Sequence, residues 1–245
     1  NYWQQYDMEA LLPLLKAQAN SRFQFLQPFL PAIEEINVMD LGAGYGLINN
    51  NFSKYYKESN YDVIEVDQQA ITYLENTICA RHIFANIKDC HNTYDLVIAS
   101  HILEHYNDFS IILKDIGQIL SDSGLILVEV PNKGFLFKPY NEPHVIFFSL
   151  ETLRQLLEQY NYTILRLDSC GELIATLADR NRMGPPKKGI KNLLSKVSLG
   201  SIKSLLKKSN AVGAEAYEYV DQYGGERQWL RVVAQKSPQT GNDRT

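Results

Sequence analysis

The sequence predicts an α/β protein with a mainly parallel seven-stranded sheet and helices on both faces. Three observations predict it. Short apolar runs alternate with segments of helical period over residues 36–169. The first run, Val38-Met39-Asp40-Leu41, passes directly into Gly42-Ala43-Gly44-Tyr45-Gly46. There, glycines at alternate positions remove Cβ atoms from a tight turn and permit positive φ. The second run, Tyr61-Asp62-Val63-Ile64-Glu65-Val66-Asp67, ends in a carboxylate 21 residues past Gly46.

An N-terminal helical arm over 1–32 comes first. Met8, Leu11, Leu12, Leu15 and Ala19, then Phe23, Phe25, Leu26 and Phe29, recur at helical spacing. Pro13 starts a new helix or kinks the first, and Pro28 and Pro31 close the segment. By its spacing alone the arm reads as a packing helix. Strand one is expected at 36–41 and its helix at 46–57; strand two follows at 62–66 and its helix at 68–79. A short strand at 82–86 precedes strand four at 94–99. The helix at 108–121 ends at Ser123-Gly124, and strand five runs over 125–130. Ser149 caps a helix over 150–159, with Glu151 and Thr152 in its first turn. Strand six is expected at 163–169 and strand seven at 229–235.

The core so defined covers 33–175, with its last strand in 229–236. Residues 176–228 depart from the rhythm: Met183-Gly184-Pro185-Pro186 breaks the chain, and Lys187 to Lys208 carries seven lysines and no acid among apolar residues. This reads as a basic helical insertion before the last strand. The polar tail, 237–245, is expected to be disordered.

Composition narrows the class. At 245 residues, the chain suits one α/β domain with additions. A net charge of -4 argues against whole-surface binding to nucleic acid. Cys79, Cys90 and Cys170 are scattered and odd in number, which suggests a reducing compartment and no structural metal site. Asn1 to Asp7 has no basic region followed by an apolar core, and no window approaches about 18 uninterrupted apolar residues. A cytoplasmic protein is therefore expected.

The glycine loop is G-x-G-x-G. Leu47 stands where a dinucleotide fingerprint carries its third glycine, which speaks against a nicotinamide-dependent oxidoreductase. With that loop, the Glu65-Val66-Asp67 strand end and the run Tyr94-Asp95-Leu96-Val97-Ile98-Ala99-Ser100-His101-Ile102-Leu103-Glu104-His105, the chain resembles a class I S-adenosylmethionine-dependent methyltransferase. Gly124 to Asn132 and Pro143 to Leu153 extend the likeness, which is nearest to small-molecule enzymes of the ubiquinone-biosynthesis type. The resemblance implies a Rossmann-like sheet and S-adenosyl-L-methionine as cofactor. It says little about the acceptor.

It also implies site residues. Asp40, Gly42, Ala43, Gly44 and Gly46 would meet the amino-acid half of the cofactor, with Asp40 orienting the loop or the cofactor's amino group. Asp67, with Gln68 beside it, would accept the ribose hydroxyls; its competing reading is a helix N-cap. Asn86 stands where relatives carry an aspartate for the adenine amino group, and Ile87 either packs on the adenine or belongs to the core. Ser100 and His101 end strand four, where methyl and acceptor should meet.

Three histidines are candidates for catalysis. His144 is the best single candidate for a general base, and otherwise holds a loop over the site. Glu104 and His105 could form a carboxylate–imidazole pair that raises imidazole basicity, or could satisfy backbone groups around a tight loop. His101, Glu104 and His105 also have metal-ligand spacing on a helix, but no fourth ligand is evident and no metal is expected.

The expected activity is methyl transfer to an oxygen or nitrogen of a small metabolite, a secondary metabolite or a sugar by resemblance. Alternatives are a non-catalytic cofactor-binding protein, or an RNA or peptide methyltransferase using the basic insertion. DNA is not an expected partner and RNA is a minor one. Lys187 to Lys208 could touch an anionic membrane surface, gather an anionic substrate or simply be a solvated helix face. The sequence does not specify oligomeric state.

Overall fold

Alternation of side chains along the strands sorts the core into two layers. The structure, a computed structural model, describes residues 7–136, 144–183 and 225–237. Its strands are β1 (Glu35–Leu41), β2 (Glu58–Ile64), β3 (His82–Phe84), β4 (Tyr94–Ser100), β5 (Leu120–Pro131), β6 (Tyr162–Leu173) and β7 (Arg227–Lys236). They form one sheet in the order β3-β2-β1-β4-β5-β7-β6. β7 runs antiparallel to both its neighbours, and the remaining pairings are parallel. The expected Rossmann-like sheet of seven mainly parallel strands is therefore present, with helices at its N-terminus and on both faces.

Met39, Leu41, Val97, Ala99, Ile126 and Val128 face one layer. There they meet Ile112 and Ile116 of α4 (Phe109–Ile119) and Leu153 and Leu157 of α5 (Leu150–Gln159). Val38, Ile98, Leu125 and Leu127 face the other layer, with Phe25 and Leu26 of α1 (Met8–Leu26), Phe52 of α2 (Asn49–Tyr55) and Ala70 of α3 (Gln68–Tyr73). Each fully buried aliphatic side chain contributes roughly 1.5–3 kcal/mol.

Several boundaries differ from expectation. α1 runs unbroken through Pro13 in its second turn. β2 begins four residues earlier than its apolar run, because Ser59 and Asn60 pair in register with Ile36 and Asn37 of β1. α2 is shorter than expected, since 42–48 are spent on turns. Gly124 does not close a helix. α4 ends at Ile119, and β5 absorbs extra residues between the pairs Tyr94–Leu120 and Leu96–Leu125. The cap at Ser149 is as expected: its hydroxyl accepts from the Thr152 N–H, and the Thr152 hydroxyl accepts from the Ser149 N–H at 2.8 Å. A sixth helix, α6 (Ile174–Met183), follows β6. The basic stretch Lys187 to Lys208 and residues 238–245 of the tail lie outside the described residues. Among the described residues, no helix is long and apolar enough to cross a membrane.

Strand order reverses between β1 and β4, so the crevice at their carboxyl ends is a topological switch point. Apart from Asp40, which lies within β1, the sequence-predicted site residues lie at or beyond the carboxyl ends of β1 to β5.

Candidate cofactor and acceptor site

The glycine turn follows β1. Gly42, Gly44 and Gly46 have φ of 60°, 54° and 56°, in the left-handed region where a Cβ is penalised. A Cβ on Gly46 would lie 2.6 Å from Leu74 Cδ2, so this glycine serves packing against the core. Gly42 lies at the surface of a cleft of about 250 Å³. Glu65, Asn86, Ile87, Ile102 and Tyr106 also line it. The volume is just below the usual range for a whole small-molecule site, about 300–1,000 Å³, and suits the nucleoside end of a cofactor. A larger hollow of about 500 Å³, lined by Lys88, His91, Asn92 and Asp115, lies at the amino end of β4, away from the glycine turn.

Asp67 caps α3: its Oδ1 accepts from the Gln69 N–H at 3.0 Å and the Ala70 N–H at 3.3 Å. The competing N-cap reading is thus realised. Oδ2 nevertheless remains buried and without a hydrogen-bond partner among the described residues. Gln68 is exposed beside it.

The acid that reaches the glycine turn is Glu65. Its Oε2 accepts from the Gly44 N–H at 2.7 Å, and its Oε1 from the Val66 and Asp67 N–H groups at 2.7 and 2.9 Å. Sequence reasoning passed over Glu65. The available signal was a second acid two residues before Asp67, at the first position past the strand.

Asn86 is exposed at the cleft, and its Oδ1 accepts from the Lys88 N–H at 3.0 Å. Ile87 is both core and cleft wall. Ala43 is half-buried, and its N–H donates to the Ile64 carbonyl at 3.3 Å.

Asp40 does not line the cleft. It is buried on the α1 face of β1 and accepts from the Tyr61 hydroxyl, whose ring lies behind Gly46. Burial pushes its carboxyl up to about 7, although the Tyr61 hydrogen bond and Arg22 pull the other way.

Beyond β4 the chemistry is ionic. His101 has φ 58°, unusual for a residue with a Cβ, and its N–H donates to the Glu129 carbonyl at 2.7 Å. Its Nδ1 lies 3.2 Å from Glu104 Oε1 and its Nε2 lies 3.3 Å from Glu129 Oε1. Burial alone would lower the imidazole, but hydrogen bonds to the two carboxylates outweigh it and raise His101 above its ordinary range. Held by a carboxylate at each ring nitrogen, His101 is placed to fix the turn after β4.

Glu129 is fully buried between two guanidinium groups, with Arg22 Nη2 at 2.7 Å and Arg231 Nη2 at 2.5 Å. Burial would raise its carboxyl, but Arg22 and Arg231 hold it well below the usual carboxylate range. Ser100 Oγ is 3.5 Å from Glu129, and the Trp229 ring meets His101 edge-on at 5.6 Å.

The carboxylate–imidazole pair formed here is Glu104 with His101. His105 stands instead against His144, ring centroids 4.9 Å apart. The loop bearing His144 is tied down by Val145, whose N–H donates to the Glu104 carbonyl at 2.9 Å, and by Phe148, whose carbonyl accepts from the Lys133 N–H at 2.8 Å.

The buried side-chain oxygens without a hydrogen-bond partner, among the described residues, are Asp67 Oδ2, Glu104 Oε2 and Asn132 Oδ1. They follow the carboxyl ends of β2, β4 and β5, the edge where this sheet architecture takes its ligands.

Sheet order, glycine turn and crevice together define a class I, S-adenosylmethionine-dependent methyltransferase fold. A family model described as a methyltransferase domain matches residues 14–167, and the chain belongs to that family, whose methyl donor is S-adenosylmethionine. An uncharacterized protein of Methanocaldococcus jannaschii is 33% identical over 104 residues, 41% of this chain and 43% of that protein. The matched stretch thus spans less than half of that relative's length.

Among solved structures, coclaurine N-methyltransferase bound to N-methylheliamine and S-adenosylhomocysteine is similar at TM-score 0.57 and 15% identity, over 89% of this chain and 72% of that one. A methyltransferase from Archaeoglobus fulgidus is similar at TM-score 0.56 and 18% identity, over 90% and 94%. So is a Haloferax volcanii putative methyltransferase, in complex with the Trm112 activator, at 0.59 and 11%, over 91% and 92%. At these identities the likeness is one of fold.

Proposed function

We propose that this protein transfers a methyl group from S-adenosylmethionine to an oxygen or nitrogen of a small metabolite, a secondary metabolite or a sugar. The observation that carries the reading is the crevice at the β1–β4 switch point, where Gly42, Glu65 and Asn86 line one cleft. When bound, the cofactor supplies a methyl already activated on a sulfonium and a neutral leaving group.

The chain's part is to bind and align. Glu65 and Asp67 Oδ2 are acceptors for the ribose diol, and Asn86 and Ile87 form the adenine wall. Glu65 exchanges its bond to the Gly44 N–H for the ribose as the nucleoside enters. His101, locked between Glu104 and Glu129, fixes the turn after β4. His105 and His144 face the acceptor. Alignment of this kind is worth several kcal/mol of barrier.

Calorimetric titration with S-adenosylmethionine, S-adenosylhomocysteine and NAD(H) tests the reading. Micromolar binding of both adenosyl compounds and none of NAD(H) is expected. Absence of adenosyl binding overturns it.

A further inference from the structure

The sequence spacing groups His101 with Glu104 and His105. The fold groups different residues. Glu104, His105 and His144 each offer one ligand atom, and these atoms lie within 4.8 Å of one another. Glu104 is fully buried, and its Oε2 has no hydrogen-bond partner among the described residues. A buried carboxylate oxygen left in this way calls for a proton donor or a cation. Its other oxygen is held by His101 Nδ1 at 3.2 Å, which orients the carboxylate as outer partners orient metal ligands. The Val145 N–H bond to the Glu104 carbonyl, at 2.9 Å, fastens the His144 loop to the Glu104–His105 turn.

We propose that Glu104, His105 and His144 form a divalent-cation site beside the cofactor cleft. Bonds to such ions run about 2.0–2.2 Å, so each donor has to close on a central ion by under about 1 Å. Rotation of two imidazoles, one exposed and one half-buried, covers that distance. Two imidazoles and a carboxylate favour borderline ions such as Zn²⁺, Co²⁺ or Ni²⁺ over Ca²⁺ and Mg²⁺.

Three protein ligands leave coordination positions open, as sites that bind substrate do. The same turn contributes Ile102 and Tyr106 to the cleft, so the cation site and the cofactor cleft share one turn. An acceptor with an ionisable hydroxyl fits them, because a bound cation lowers the pKa of a coordinated oxygen. This assignment of acceptor rests on the methyl-transfer reading; the cation site does not.

The test uses full-length, untagged, chelator-treated protein titrated with Co²⁺, followed by visible absorption and calorimetry. One equivalent should bind at micromolar affinity or tighter. His105→Ala and His144→Ala should each weaken binding at least tenfold, while His91→Ala, in the distant hollow, should match the parent. No stoichiometric binding, or binding unmoved in both His105 and His144 variants, overturns the site. S-adenosylhomocysteine is titrated separately into metal-free protein. Cobalt binding without it leaves the cation site standing and removes the methyl donor; the converse removes the cation site alone.

Discussion

The two ends of the crevice are built by opposite means. Around β1 and β2 the site is local and made mostly of backbone: a glycine turn, one carboxylate on its N–H groups, and an N-cap. Around β4, β5 and β7 it is ionic and assembled from afar. Arg22 on α1 and Arg231 on β7 reach Glu129 from 107 and 102 residues away in sequence. The local end hangs on one half-buried carboxylate, Glu65, which accepts from three backbone N–H groups. The ionic end is fixed, since any movement strands a buried charge.

The sharpest way to break this contrast is to remove the hub. Glu129→Gln leaves two guanidinium groups facing a neutral amide and is expected to cost about 3–5 kcal/mol in urea unfolding. A cost near that of a surface change would show that the cluster is no scaffold.

Next in size is a pH effect at Asp40, whose carboxyl moves from an ordinary 3.8 up to about 7. A group raised in the folded state stabilises it below its unfolded pKa, and that contribution is lost as pH rises through the folded value. Stability should therefore fall between about pH 4 and 7, by up to about 4 kcal/mol from this group. Asp40→Asn should flatten that fall in a pH series of urea melts; an unchanged slope removes Asp40 as its source.

Smaller is Asp67→Ser. Serine keeps the N-cap, so stability should hold, whereas alanine costs about 1 kcal/mol. Loss of Oδ2 should weaken S-adenosylhomocysteine binding at least tenfold, and unaltered affinity would leave Asp67 with the cap alone. Smallest is His144→Ala, expected to lower turnover several-fold with cofactor affinity unmoved. Full activity at neutral pH would exclude it from the acceptor side.

How far the sequence could be read follows the same division. The β1 turn, the acid past β2, the Ser149 cap and the alternation of strands and helices are short-range patterns, and each is legible. The start of β2 leaves no sign in the sequence, because Glu58 to Asn60 are polar and lack the apolar signal, although they pair with β1 through backbone and amide groups. Gly124 looked like a helix stop because nothing local distinguishes a C-cap from an irregular strand start. Glu65 was overlooked beside a nearer match to the family pattern.

The cluster around Glu129 could not be read at all. No local pattern predicts that Arg22, His101 and Arg231 converge on one carboxylate. His144 reads as a lone base because Glu104 and His105, which the fold brings beside it, are about 40 residues earlier in sequence.

β7 follows β6 in the chain yet inserts between β5 and β6. Until residues 227–236 are made, β5 and β6 have no common neighbour and Glu129 lacks its Arg231 partner. A nascent chain on the ribosome can therefore assemble the glycine-turn half well before Glu129 gains its second guanidinium. The sheet closes from within, and until β7 is in place an apolar slot stands open between β5 and β6.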